Sequence, residues 1–136
     1  MTTVVLDTNV FVISLTSKSP YHSIIAALKN QQFNLVVSTE ILLEYMEVLE
    51  LKYSVKAAEE FLNFIVELPN VQFIHVHYNW KLIKEDEDDD KFVDVAVAGN
   101  ADYLISEDKH FNILQQIEFP KVNVLNVDEF MNLLQA

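Results

Sequence analysis

Strand-like and helix-like hydrophobic periods alternate along the chain. Thr3 to Leu6 is a short β-branched run suited to a buried strand. Ser19-Pro20 supplies a cap and an N1 proline ahead of an apolar helix through Ile24, Ile25 and Leu28. Phe33 to Val37 reads as a second strand. Ser38 then caps a helix with Ile41, Leu42, Tyr45, Val48 and Leu49 at helical spacing. Ser54 begins another helix, with Ala57, Ala58, Phe61, Leu62, Ile65 and Val66, which Pro69 stops. Val71 to Val76 is a third strand. An acidic run, Glu85 to Asp90, precedes a small-residue helix of Val93, Ala96, Val97 and Ala98, with Gly99 as its C-terminal cap. Tyr103 to Ile105 and Val122 to Leu125 are the fourth and fifth strands, and Asp128 begins a short last helix. This rhythm predicts a single α/β domain over residues 1–136. Its mainly parallel sheet of about five strands lies between helices.

Composition narrows the chemistry. The 136 residues include nine lysines, no arginine and twenty-one acids, for a formal net charge of −12. That balance argues against a broad basic nucleic-acid surface. It suits a metal site, because a cation is held by nearby acids. Cysteine is absent, which excludes disulfides, thiolate nucleophiles and Cys-bound zinc, and fits a reducing cytosol. Gly99 is the only glycine, so there is no P-loop, no dinucleotide GxGxxG and no GxSxG elbow. The N-terminus lacks the basic start and apolar run of a signal peptide, and no apolar stretch approaches a membrane span. A soluble cytoplasmic domain is the expectation.

The acids fall at telling places. Ligands of open α/β sheets bind beyond the carboxyl ends of the strands. Asp7 directly follows the first strand, and Asp108 follows the fourth with two residues between. Glu44 lies about two turns into the helix after strand two, and Asp90 opens the helix before strand four. Four carboxylates brought together repel unless a cation neutralises them. Mg²⁺ or Mn²⁺ prefers such oxygen ligands and bridges to substrate phosphates. Taken singly, each acid also has an ordinary explanation. Asp7-Thr8-Asn9 can be a turn or an N-cap, Asp108 can cap the next helix, Glu44 can be solvated like Glu40 or Glu47, and the acidic run can be a solvated loop.

As a set, the pattern resembles the PIN-domain family, particularly its branch of predicted toxin components of bacterial and archaeal toxin–antitoxin pairs. Four segments carry the resemblance, from one end of the chain to the other: Val4-Val5-Leu6-Asp7-Thr8-Asn9-Val10, Ser38-Thr39-Glu40-Ile41-Leu42-Leu43-Glu44-Tyr45, Asp89-Asp90-Lys91-Phe92-Val93-Asp94-Val95-Ala96, and Ala101-Asp102-Tyr103-Leu104-Ile105-Ser106-Glu107-Asp108-Lys109-His110-Phe111. The resemblance implies a three-layer PIN-like fold and a metal-dependent ribonuclease. Its acidic quartet would be Asp7, Glu44, Asp90 and Asp108, acting with Mg²⁺ or Mn²⁺. Asp94 matches a further acid, and Asn9 and Ser106 match accessory polar positions. The third acid is ambiguous in register, and Asp90 is preferred to Asp89 for its distance from the strand at Leu104. The implied partners are an RNA substrate and a cognate antitoxin, with a dimer mate as a source of further basic surface. The chain departs from the family in carrying Ser106 where threonine is more usual, and in lacking arginine. Lys81, Lys84, Lys91 and Lys109 are the local candidates to meet RNA.

Competing patterns fail on their own residues. Asp86, Asp88 and Asp90 mimic the start of an EF-hand loop, but Lys91 and Val97 stand where glycine and glutamate are needed. Asp7-Thr8-Asn9 resembles the Asp-x-Asp of haloacid-dehalogenase phosphatases, yet Asn9 cannot donate the proton that the second aspartate supplies. His75-x-His77 on one strand face is a weak zinc signal. Met46, Phe61 and Phe64 have core or interface spacing. The rival from another class is a PIN-like module that binds RNA or protein without cutting.

Overall fold

The computed structural model describes residues 1–84 and 86–135, with Glu87 described by its backbone alone. Five strands form one sheet: β1 (Thr3–Leu6), β2 (Asn34–Val37), β3 (Val71–Phe73), β4 (Tyr103–Ile105) and β5 (Val124–Leu125). Their order is β3-β2-β1-β4-β5, and every pairing is parallel. The helices are α1 (Thr8–Leu15), α2 (His22–Lys29), α3 (Thr39–Lys52), α4 (Val55–Val66), α5 (Asp90–Ala98) and α6 (Val127–Gln135), with 3-10 segments at Glu87–Asp89 and Lys109–Gln116.

The chain steps outward from β1 to β2 to β3, then crosses back to β4. Right-handed crossovers therefore place α1 to α4 on one face and α5 on the other. α5 packs on β1, β2 and β4. Covering both faces demands strands that are apolar throughout. Val4, Val5 and Leu6, Leu35, Val36 and Val37, and Leu104 and Ile105 are all buried. Phe33 meets Phe130 of α6 edge-on at 5.1 Å, and Phe11 of α1 stacks on Tyr45 of α3 at 4.1 Å. No helix among the described residues is long and apolar enough to cross a membrane.

Polar side chains start the helices. Ser38 Oγ accepts from the Ile41 amide at 3.3 Å and Ser54 Oγ from the Ala57 amide at 3.1 Å. Asn126 and Glu129 form a reciprocal capping box at the start of α6, at 2.8 and 3.0 Å.

The structure departs from the sequence expectations in three places. Apart from the N-cap alternative for Asp7, which the structure bears out, nothing in the periodicity predicts α1. It is buried on nearly all sides, so it shows no amphipathic period, and its β-branched residues read as strand. Ser19 does not cap α2 directly. Its hydroxyl accepts from the Tyr21 amide and its carbonyl from the His22 amide, making a turn that delays the helix to His22. β3 ends at Phe73, so His75 and His77 lie beyond it in a segment without regular secondary structure rather than on a strand face. Gly99 (φ −88°) is the C-cap of α5, as expected, its amide donating to Val95 O at 2.8 Å, and the left-handed residue that follows it is Asn100 (φ 50°). Gly99 is needed for a further reason. A Cβ there would lie 2.7 Å from Val36 Cγ1 of β2, so glycine allows the helix to close on the sheet.

Candidate active site

The strand order reverses between β1 and β4, and the carboxyl ends of these two neighbours carry Asp7 and Ser106. Backbone bonds lock that edge. The Asp7 amide donates to Ile105 O at 3.1 Å, and the Ser106 amide to Leu125 O at 3.0 Å. Asp7 is buried and caps α1, its Oδ1 accepting from the Val10 amide at 2.9 Å. Its other oxygen accepts from the buried Ser106 hydroxyl. The same hydroxyl accepts from the Asp108 amide at 2.9 Å. Ser106 thus joins the first and fourth candidate acids. Burial raises the Asp7 pKa, against the two hydrogen bonds, and the nearby charges of Asp108 and Glu107 raise it further.

Glu44 approaches from α3. One carboxylate oxygen accepts from the Thr8 hydroxyl. The other lies 2.7 Å from the Lys91 ammonium of α5, which also donates to Asp88 O at 2.7 Å. The neighbouring Tyr45 hydroxyl is fully buried and donates to Leu6 O, fixing α3 on the end of β1 one residue before Asp7. Burial drives the Tyr45 pKa well up, and the charges of Asp7 and Glu44 add to this, so both carboxylates lie within electrostatic reach of one hydroxyl.

Asp90 and Asp94 lie one helical turn apart on α5. Asp90 Oδ1 accepts from the Ile83 amide at 2.8 Å and Asp94 Oδ1 from the Trp80 amide at 2.9 Å, tying the connection after β3 to this helix. Asp94 is buried, and burial raises its pKa, with Asp90 and Glu40 contributing. Asp90, Asp94, Glu40, Lys81, Lys84 and Lys91 line an open cleft of about 520 Å³. Lys109 is exposed, and Asn9 is exposed in the first turn of α1.

Asp89 faces another way. Its Oδ2 is 3.2 Å from His110 Nδ1, which lies 3.4 Å from Asp108 Oδ1. Burial pushes the Asp89 pKa up to about 6, the hydrogen bond to His110 opposes this, and the charges of Asp108 and Asp86 reinforce it. Asp86, Asp89 and His110 bring ligand atoms within 4.8 Å of one another. The two aspartates at the head of α5 therefore belong to different surroundings: Asp89 beside Asp108, and Asp90 in the cleft beside Lys91 and Asp94. Glu85 of the acidic run lies outside the described residues.

Sequence reasoning passed over Thr8, Tyr45 and His110 as parts of the site. Each adjoins a candidate acid or follows one by two residues, which was the available signal. The oxygen donors here are carboxylates and hydroxyls, which suit a hard divalent cation. The Lys91 ammonium on Glu44 shows that the edge already accommodates a positive charge.

A family model for the PIN domain matches residues 3–110, and the chain belongs to that family. No curated protein matches it in sequence. Among solved structures, it is similar to VapBC2 from Rickettsia felis bound to a promoter DNA fragment, with TM-score 0.62 and 17% identity, over 91% of this chain and 98% of that one. It is similar to Mycobacterium tuberculosis VapC20, a Sarcin-Ricin loop cleaving toxin, with TM-score 0.59 and 13% identity, over 80% and 92%. It is also similar to DNA-bound VapBC from Salmonella typhimurium, with TM-score 0.58 and 16% identity, over 93% and 99%. At these identities the likeness is one of fold.

Proposed function

We propose that the protein is a divalent-metal-dependent endoribonuclease and the toxin of a toxin–antitoxin pair. The observation that supports this reading is the PIN-family match together with the strand-order reversal, where Ser106 links Asp7 to the Asp108 backbone. Asp7, Glu44, Asp90 and Asp108 would hold Mg²⁺ or Mn²⁺, with Asp94 behind Asp90. Such a cation supplies Lewis acidity toward the scissile phosphate and acidifies water. The protein's own part is orientation. Ser106 holds Asp7 and the Asp108 backbone in one geometry, Thr8 aims Glu44, and the Ile83 and Trp80 amides fix Asp90 and Asp94. Lys81, Lys84 and Lys91 offer the phosphate backbone positive charge in the cleft. With a net charge of −12, long-range steering of RNA is weak, and a dimer mate or other partner would add basic surface.

An antitoxin partner is supported by the solved toxin–antitoxin complexes of the same fold and by an apolar groove. Leu42, Leu43, Met46, Leu62, Val66 and Phe73 line it, with Leu43, Val66 and Phe73 exposed. The test is cleavage of single-stranded RNA in Mg²⁺ or Mn²⁺, abolished by chelation and by Asp7→Asn/Asp108→Asn. The same double variant should lose the rise in melting temperature that metal gives the wild type. Asp90→Asn should abolish cleavage while Asp86→Asn and Asp88→Asn leave it nearly intact. Loss with Asp89→Asn and not with Asp90→Asn would move the third ligand by one residue. An equal thermal response to metal in wild type and double variant would overturn the assignment.

A further inference from the structure

Three aromatic side chains, two of them in the segment whose Asn79 and Lys81 line the cleft, form a continuous edge-to-face cluster. Tyr78 meets Trp80 at 4.7 Å between ring centroids and 62°, and Trp80 meets Phe119 at 5.8 Å and 84°. Burial does not explain the cluster, since Tyr78 is 65% and Phe119 82% exposed. It is tied to the site. The Trp80 amide donates to Asp94 Oδ1, and Asn79 and Lys81 on either side of Trp80 line the cleft with Asp90, Asp94 and Lys91.

We propose that Tyr78, Trp80 and Phe119 form a stacking platform on which single-stranded RNA lays successive bases while its phosphates follow the cleft lysines. The proposal rests on the ribonuclease reading and specifies how that site takes its substrate. Two physical arguments favour RNA bases over a protein side chain. The protein is strongly acidic and holds nine lysines in all, so electrostatic capture of a polyanion is poor, and uncharged stacking supplies the missing affinity. The chain neighbours of Trp80, Asn79 and Lys81, also line a cleft of lysines and carboxylates, while the apolar groove lies elsewhere, between α3, α4 and β3. Edge-to-face packing uses at most one face of a ring in each contact. With Tyr78 and Phe119 mostly exposed, flat faces stay open to bases.

Trp80 is the only tryptophan, so its fluorescence reports the platform directly. Protein held in chelator, where cleavage is off, should be titrated with a short oligouridine, an abasic oligomer of the same length, and duplex RNA. The oligouridine should quench Trp80, and the abasic oligomer should bind much more weakly. A Tyr78→Ala/Phe119→Ala variant should lose roughly five- to a hundredfold in affinity for the single strand. The salt dependence should be unchanged, because no phosphate contact is removed. Tyr78→Trp/Phe119→Tyr, which keeps aromatic faces, should restore affinity, and circular dichroism would show that both variants fold. Equal binding of abasic and base-bearing strands would overturn the proposal. So would wild-type affinity in the alanine variant, the result expected if the cluster serves a protein partner. If these arise while metal-dependent cleavage persists, the platform fails and the ribonuclease reading stands. A wild type that neither binds nor cleaves RNA overturns both.

Discussion

Replacing Lys91 with methionine removes a positive charge from among the carboxylates and keeps an unbranched side chain of nearly the same length. Lys91 Nζ is 2.7 Å from Glu44 Oε1, and the side chains of Lys91 and Glu44 are 13% and 28% exposed. The pair therefore lies between the exposed case, worth up to about 1 kcal/mol, and the buried case, where deleting one partner costs about 3–5 kcal/mol. A loss of about 2 kcal/mol is expected in chelated protein, which for a chain of this size lowers the melting temperature by roughly 5–10 °C. Divalent metal should narrow the gap. If Glu44 is a ligand, the wild-type cation must first be displaced from it, and the variant should bind metal more tightly. A tenfold gain in affinity adds about 1.4 kcal/mol of stabilisation at saturation. Melting curves of wild type and Lys91→Met across a Mn²⁺ series, with isothermal titration of the same samples, measure both effects. The expected pattern is a variant less stable without metal whose deficit shrinks as metal rises. An unchanged metal increment would show that the Lys91–Glu44 pair lies outside the metal site, and a smaller one would make Lys91 a support for binding.

Three further perturbations probe the frame of the site. Ser106→Ala deletes a hydroxyl bonded to a buried carboxylate and to the Asp108 amide, so urea unfolding of metal-free protein should show a loss of about 1–3 kcal/mol; no change would mean that Asp7 does not depend on it. Gly99→Ala sits at φ −88°, where alanine is ordinarily tolerated or stabilising, but its Cβ would meet Val36 Cγ1 at 2.7 Å and Val95 O at 3.0 Å. Overpacking should cost about 1–3 kcal/mol, and a stabilised variant would refute the close approach. Asp89 has its pKa raised from 3.8 to about 6, so the folded state binds this proton more tightly than the unfolded one. Its cost is absent below about pH 4, grows through the interval, and is full above pH 6. In chelator, Asp89→Asn should therefore gain about 1–3 kcal/mol relative to wild type between pH 4 and pH 7; urea midpoints that shift in parallel would count against the burial of that charge.

How much of this could be read from the sequence depends on how local the governing physics is. β1 and β4 were legible to the residue, because a strand buried on both faces is a continuous apolar run and a polar residue, Asp7 or Ser106, ends it. The starts of α3 and α4 were legible because Ser38 and Ser54 are caps whose hydroxyls act three residues away. α1 was hidden by the same tertiary burial that makes it stable, since a helix covered on nearly every side carries no amphipathic signature. The segments bearing candidate acids were legible as strand exits and helix starts. The directions of their side chains were not. Asp89 ends a 3-10 turn and Asp90 begins the α-helix, and this change of pitch points one carboxylate toward His110 and the other toward the Ile83 amide. No period or propensity encodes such a divergence. It follows from where β3 ends and how the chain returns across the sheet, a long-range constraint fixed by backbone bonds from Trp80 and Ile83 to α5. The same return path sets Tyr78 and Trp80 against Phe119, far away in sequence. Both the choice between Asp89 and Asp90 and the aromatic cluster thus trace to one connection, and mutations along residues 78–84 should affect metal binding and RNA binding together.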